Sequence, residues 1–597
     1  MAHDSIAGPQ SAREPSPPAS AAIRGSMTKA SGSSPSRAAT GIRDSQGSGS
    51  PPAAAGATGK RRILLRLLPS ITDIAFLLPL YFIFVKQGGA PALLQDAGTA
   101  LHILTGDWIL AHHAVPHQDL YSFTKAGSPW CAWEWAWDVL AALIHRRFGL
   151  AGVVFANCLV LSFLFTFLFR LIRRRTRHSL VAIALTVLAV ETSCFHWLAR
   201  PHLVGWLFVI LTLTLIERSR EGERLALWLI PPLVLLWTNL HGSFFIALIL
   251  LAAYGAGELL DIVISRDTRS RGERLGAALR YGVAGAAALA ASLVNPYGWK
   301  LHAHIVQYLF DSRQLERIKE FQSTDFHHPP ALAIELLLVL GALAAVWAIA
   351  RREWGEAIAI LVFAHFALVS IRNVPLFAFV ACGAIGASLA GAGRQIGRRT
   401  LVRAWLARLV DGALGWGQEI EAMEGVGRFH WPAALAVVMI ALLFRAPVKP
   451  AGFQAEFDPG IFPVNAVASM AKGPMGRIFT SDQWGDYLLY RFYPKIRVFL
   501  DDRSDFYGAD LDDVAIRIAT AQYDWRELLA KYDVDTALVS PKDPLTAVLR
   551  ISPEWSLMFE DRVALIFRRE VVQRRGLTEG RKRADKQSGV LSTKDKT

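Results

Sequence analysis

The sequence predicts an α-helical polytopic membrane protein of about eleven transmembrane helices, with a small C-terminal α/β domain on the extracytoplasmic side. Three observations predict it. Hydrophobic residues make up 52% of the 597 positions and charged residues only 19%, against about 25% charged in an average soluble domain. The apolar residues fall in blocks of roughly 15–22, the length that crosses a ~30 Å hydrocarbon core. The Arg and Lys behind the formal net charge of +14 gather in short runs between those blocks. Membrane topology accounts for such runs, so no nucleic-acid partner is expected.

Residues 1–59 are rich in Ser, Pro, Ala and Gly and show no apolar periodicity. Such a segment cannot bury enough surface to offset its chain entropy, so a disordered cytoplasmic tail is expected. No apolar core precedes Ile71, which argues against a signal peptide. Lys60-Arg61-Arg62 and Arg66 mark the cytoplasmic flank of a first, uncleaved span. Spans are placed near 68–86, 149–171, 179–197, 203–217, 225–240, 243–264, 278–294, 330–350, 354–371, 374–392 and 431–446. Arg173 to Arg177 follow the second span, Arg218 to Arg224 the fourth and Arg266 to Arg274 the sixth. Arg351-Arg352 follow the eighth and Arg394 to Arg408 the tenth. Each run comes after an even-numbered span, as the positive-inside rule requires of a chain with its N-terminus in the cytoplasm. The transmembrane domain is therefore drawn over 60–450 in the plasma (inner) membrane, and the chain beyond it is placed outside.

From about 455 the texture becomes that of a soluble domain, drawn over 451–570. Short β-branched or aromatic runs (Arg477–Thr480, Ile496–Leu500, Thr536–Val539, Val563–Arg568) alternate with amphipathic stretches at Trp484–Phe492 and Trp525–Tyr532. Strands alternating with helices indicate an α/β unit. The charged tail 571–597 is expected to be disordered. No internal repeat stands out.

The two expected faces of the membrane differ in kind. Inner loops hold Arg, Ser, Glu and Gly. Outer loops hold dense groups of Asp, His, Trp, Asn and Pro, the longest running from Asp96 to Asp138. Bland readings exist for many of them. Trp133, Trp135 and Trp137 fit an interfacial aromatic belt; Arg200-Pro201 and Asn295-Pro296 fit helix ends; His241-Gly242 fits the cap of a short hairpin. Asp107 and Asp138 read as solvated loop residues. Asp96 opens a stretch with helical apolar spacing (Leu101, Leu104, Trp108), which describes an interfacial helix lying on the outer surface. Glu191, Glu335 and His365 fall inside apolar spans, where ionisable residues are costly and point to a pathway or pocket. The four Cys include no CxxC pair, and Cys131 with Cys194 is the one pairing in which both fall near the outer face. There is no phosphate-binding G-x-x-x-x-G-K-[ST] loop and no HExxH, which disfavours ATP-driven transport by this chain alone and zincin proteolysis.

The outer-loop residues also carry a resemblance. Asp96, Gly98, Ile103, Gly106, Ile109 and Leu110, then Val115-Pro116 with Asp119, then Trp130 with Glu134-Trp135, resemble polytopic glycosyltransferases of the GT-C fold class, in particular uncharacterised bacterial members. Arg200-Pro201-His202, Trp237 to Gly242, Asn295 to Gly298, Arg372 to Pro375, Trp484 to Leu488 and Phe499 to Arg503 extend it over roughly 70–570. The resemblance implies a GT-C-like membrane domain, a polyprenyl-phosphate-linked sugar donor held among membrane lipid, and a saccharide or lipid acceptor glycosylated outside the cytoplasm. Asp96 matches the acidic position of the first outer loop that serves such enzymes as general base. An acceptor hydroxyl must lose its proton as it attacks the anomeric carbon, hence the carboxylate. The paired acidic motif of several GT-C families is missing, since Ala97 and Gly98 follow Asp96. Glu134 or Asp119 would have to supply a second carboxylate in space. His102, Arg200, His202, His241 and Arg372 are the candidates for holding substrate and stabilising the leaving phosphate. No metal ligand set or cofactor is assigned. A transporter or flippase of lipid-linked saccharides and a non-catalytic membrane scaffold are the alternatives. The first lacks the expected inverted repeats, and the second leaves the crowded first outer loop unexplained.

Overall fold

A segment that sits in hydrocarbon must satisfy its backbone polar groups internally, and each apolar block named above is helical over most of its length. The computed structural model describes residues 66–265, 268–316, 318–328, 331–396, 412, 415–417, 419–425 and 427–570. The tails 1–59 and 571–597, Lys60-Arg61-Arg62, Arg266 and most of the Arg394–Arg408 run lie outside the described residues.

Six described helices are long and apolar enough to cross a membrane: Trp135–Thr176, His202–Arg220, Gly242–Ile264, Arg271–Ser292, Ala331–Ala350 and Ile371–Gly393. Other expected spans coincide with shorter apolar helices, Ser179–Glu191, Arg224–Leu240, Trp354–Val369 and Trp431–Arg445. The first coincides with Ile71–Tyr81 and its π-helical continuation Phe82–Lys86. Trp135–Thr176 is two helices joined across a kink: Gly149, at φ +66°, breaks it, where the sequence places the start of the second span. Arg175 and Arg220, from runs expected on the inner side, sit among Glu217, Glu353 and Glu356. Glu191 and His365 are exposed and Glu335 is half-buried; none of the three lines the large cavity under the outer loops.

At the opposite ends of these helices the chain builds a thick cap. The stretch after Asp96 is helical, Gly98–His112, but it does not lie open on the surface. It packs between the start of Trp135–Thr176 and a C-terminal helix, Asp482–Phe492. Gly106 permits this approach, because a Cβ there would stand 1.9 Å from the Asp138 carbonyl oxygen. The same covering buries Asp138, which is 4% exposed and hydrogen-bonded to His102, so the solvated-loop reading of that residue is corrected. Asp107 does remain near solvent, paired with Arg146 at 2.6 Å. Trp137 is buried and Trp133 packs against Gly242 and His304, so these two are not lipid-facing belt residues. Cys131 and Cys194 are free thiols.

The C-terminal region is α/β. Its strands β1 (Ile478–Phe479), β2 (Thr536–Val539), β3 (Trp555–Glu560) and β4 (Leu565–Arg569) form one sheet in the order β1-β2-β4-β3. β1 and β2 are parallel and the other pairs antiparallel. Helices Asp482–Phe492, Ser504–Ala519, Trp525–Lys531 and Pro544–Ile551 intervene between the strands along the chain, and Pro544–Ile551 packs against β3. The run Ile496–Leu500 gives only bridges at Val498, one to Ile478 and one to Ser122 of the first outer loop. That second bridge is a seam. Phe123 N–H donates to the Val498 carbonyl and Val498 N–H to that of Tyr121, both at 3.0 Å. Lys125 Nζ adds bonds to the carbonyls of Phe506 and Tyr507.

Candidate active site

A cavity of about 730 Å³ lies where the Asp96–Asp138 stretch, the ends of the long helices and the C-terminal region meet. Its lining is of two kinds. Asp96, His102, Glu134, Arg200, His241, Arg372 and Asp502 supply charged and imidazole groups. Trp206, Ile246, Ile249, Phe363, Phe366 and Leu376, all within the long and shorter apolar helices, supply apolar surface.

Asp96 stands just before helix Gly98–His112 and is 9% exposed. Its Oδ1 accepts the Gly98 N–H at 2.7 Å and its Oδ2 accepts Arg200 Nη1 at 2.8 Å. Arg200 Nη2 lies 3.0 Å from Asp502 Oδ2, so one guanidinium joins the first outer loop to the C-terminal region. Gly98 leaves room for this arrangement: a Cβ would fall 2.3 Å from Asp502 Oδ2 and 2.9 Å from Asp96 Oδ1, so those side chains would have to shift.

Glu134 lies across the cavity, just ahead of helix Trp135–Thr176. Its Oε2 is 3.6 Å from His102 Nε2 and its Oε1 is 3.5 Å from His241 Nε2. Each imidazole is held by its other nitrogen: His102 Nδ1 is 2.6 Å from Asp138 Oδ1, and His241 Nδ1 is 2.6 Å from Ser243 Oγ. Burial pushes Glu134 up to about 7, against the pull of His102 and Arg200. Burial likewise lowers His102, although Glu134 opposes that shift. His241 goes well below its usual value through burial, helped by Arg372 and Arg200. The result is a carboxyl group near neutrality between two imidazoles that favour their uncharged form.

His202 also lines the cavity, with Nε2 3.0 Å from the His196 carbonyl. Arg372 stacks on Phe321 and lies 3.8 Å from Glu320. Of the eight candidate catalytic and substrate-binding residues, Asp119 alone does not line the cavity. It accepts the N–H groups of Tyr121 and Ser122 and pairs with Arg503 at 2.7 Å, which places it in the seam. His241 serves as a cap as well, its Nδ1 accepting the Ser243 N–H. Asn295 caps its turn through Tyr297 N–H, in keeping with a helix end.

Sequence reasoning missed Asp502, Glu320, Asp505 and Tyr308, which also line the cavity. The adjacent Asp501-Asp502-Arg503 after an apolar run was a legible sign of buried charge. Nothing local marks the other three. Behind Asp502 stand Asp501 and Asp486, each offering a carboxylate oxygen within 4.8 Å of the others.

No protein-family model matches the chain, and no curated protein sequence does. Among solved structures, the apo oligosaccharyltransferase of Archaeoglobus fulgidus is similar at a TM-score of 0.47 and 11% identity, over 78% of this chain and 69% of that one. The same enzyme, AglB, in complex with an inhibitory peptide and a dolichol-phosphate gives 0.46 and 11%, over 79% and 69%. At this score and identity the likeness is a distant one in overall architecture.

Proposed function

We propose that this protein is a membrane glycosyltransferase of the GT-C type, moving a sugar from a polyprenyl-phosphate-linked donor to an extracytoplasmic hydroxyl acceptor. The observation that supports this reading is the mixed lining of the cavity: charged and imidazole groups together with apolar side chains from the helix bundle. Such a cavity suits a molecule that is a sugar phosphate at one end and a hydrocarbon at the other.

In this reading Glu134 takes the proton of the acceptor hydroxyl as that oxygen bonds to the anomeric carbon. The bond from that carbon to the phosphate oxygen breaks, and the lipid phosphate leaves. Glu134 is favoured over Asp96 because no described side chain hydrogen-bonds to it, whereas both Asp96 oxygens are already occupied. A carboxyl group near 7 is also matched to base catalysis at neutral pH. Arg200 keeps three N–H donors beyond its two ion pairs and, with Arg372, would meet the phosphate. Asp96 holds Arg200 in place.

The test uses full-length protein in nanodiscs with a radiolabelled polyprenyl-phosphate hexose, reading release of polyprenyl phosphate. Glu134→Gln is expected to insert normally and lose roughly 10²–10⁴-fold in rate, the usual worth of a general base. Asp96→Asn should chiefly raise KM by disturbing Arg200. If Glu134→Gln keeps the parent rate and Asp96→Asn is inactive, the base is Asp96. Movement of intact donor across a vesicle bilayer, without cleavage, would replace this reading with that of a flippase.

A further inference from the structure

Asp486 is the most enclosed acidic group of the C-terminal region. It sits in helix Asp482–Phe492 with 0% exposure, and neither of its carboxylate oxygens has a hydrogen-bond partner. Burying a carboxylate without a partner is costly enough that proteins neutralise it, pair it or bind a cation to it. No cationic side chain pairs with Asp486 among the described residues. Its surroundings sharpen the problem. Asp501 and Asp502 offer oxygens within 4.8 Å of it. Asp96 and Asp502 share the Arg200 guanidinium and Asp119 and Asp501 share that of Arg503, which leaves Asp486 with neither.

We propose that Asp486, Asp501 and Asp502 bind a divalent metal cation at the roof of the cavity. The donor set is all oxygen, which selects a hard ion such as Ca²⁺, Mg²⁺ or Mn²⁺ over zinc or copper. The spacing suits Ca²⁺ best, whose bonds of about 2.3–2.6 Å allow ligand oxygens up to roughly 5 Å apart, while a smaller ion would draw the carboxylates closer together. Asp501 is oriented for this by Arg503 Nε at 2.6 Å and by the Tyr507 hydroxyl at 2.7 Å. Asp502 faces both the cluster and Arg200. The cation therefore offsets the acids that compete for Arg200 and turns that wall toward an anionic ligand.

Cation binding at this site does not depend on the transfer reaction, and its test reads binding alone. Full-length protein in nanodiscs is stripped with a chelator and titrated with Mn²⁺, following free Mn²⁺ by electron paramagnetic resonance. One tight site per chain is expected, with a rise in Tm on binding. Asp486→Asn preserves shape and should weaken that site by more than about tenfold while abolishing the Tm response. Asp502→Asn, which removes a ligand from the other side, is the second variant and should do the same. The proposal is overturned if the wild type takes up no Mn²⁺ and ignores the chelator. It is equally overturned if both variants bind as tightly as the wild type.

Discussion

Glu134 shows how a residue with an ordinary sequence context acquires special chemistry. Nothing in Trp133-Glu134-Trp135 fixes its environment; the flanking His102 and His241 come from positions 32 and 107 residues away, and burial does the rest. The sign of the consequence can be worked out. Its folded-state value of about 7 lies above the usual 4.5, so the folded chain holds this proton more tightly than the unfolded one. Its stabilising contribution is full below about 4.5 and is lost as pH rises through about 7. Glu134→Gln is therefore expected to melt near the wild type at about pH 5 and above it at about pH 8.5. In parallel, kcat/KM of the wild type should climb with pH through about 7, and that limb should vanish in the variant. A Tm difference independent of pH would contradict the buried-acid account. At this scale the sequence was informative about which residue types gather, since seven of the eight candidate residues line one cavity. Their mutual distances were not legible, because they come from segments far apart in the chain.

Among the elements, helix Gly98–His112 does most to shape the site. Its apolar spacing was readable, but its setting was not: an interfacial helix and one covered by a second domain share the same pattern. Gly106 was the available clue, since a glycine within a helical run costs about 1 kcal/mol relative to Ala and needs a reason. Gly106→Ala tests that reason. The propensity gain of about 1 kcal/mol is set against a Cβ 1.9 Å from a backbone carbonyl, which cannot rotate away as a side chain can. Overpacking of that kind costs roughly 1–3 kcal/mol, so the variant should melt lower and loosen the His102–Asp138 contact. A raised Tm would mean that the two helices do not meet at this point. The strands tell a similar story. Thr536–Val539 was readable because it is fully buried and β-branched, whereas Trp555–Glu560 runs along the sheet edge with an irregular burial pattern and gives no period-2 signal.

For the whole molecule, the arginine runs predict an orientation in the membrane. Reporter fusions after residues 175, 222, 270, 352 and 405 should read cytoplasmic, and those after 120, 315 and 500 external. An external signal after 405 would move the C-terminal region to the other side and separate it from any outward-facing chemistry. The seam at Val498 has a further consequence, one of timing. Asp96 and its neighbours leave the ribosome early, while the residues that roof them come much later; Ala97 and the Gln483 side chain that bonds to it are 386 positions apart. At 5–20 residues per second that interval is roughly 20–80 s. Throughout it the membrane helices can insert and pack, but the outer loop has no edge partner and Arg200 lacks one of its two acids. On the function proposed above, the site is therefore unfinished during synthesis, and a ribosome that stops anywhere before Asp502 leaves an inserted bundle whose cavity lacks its C-terminal wall.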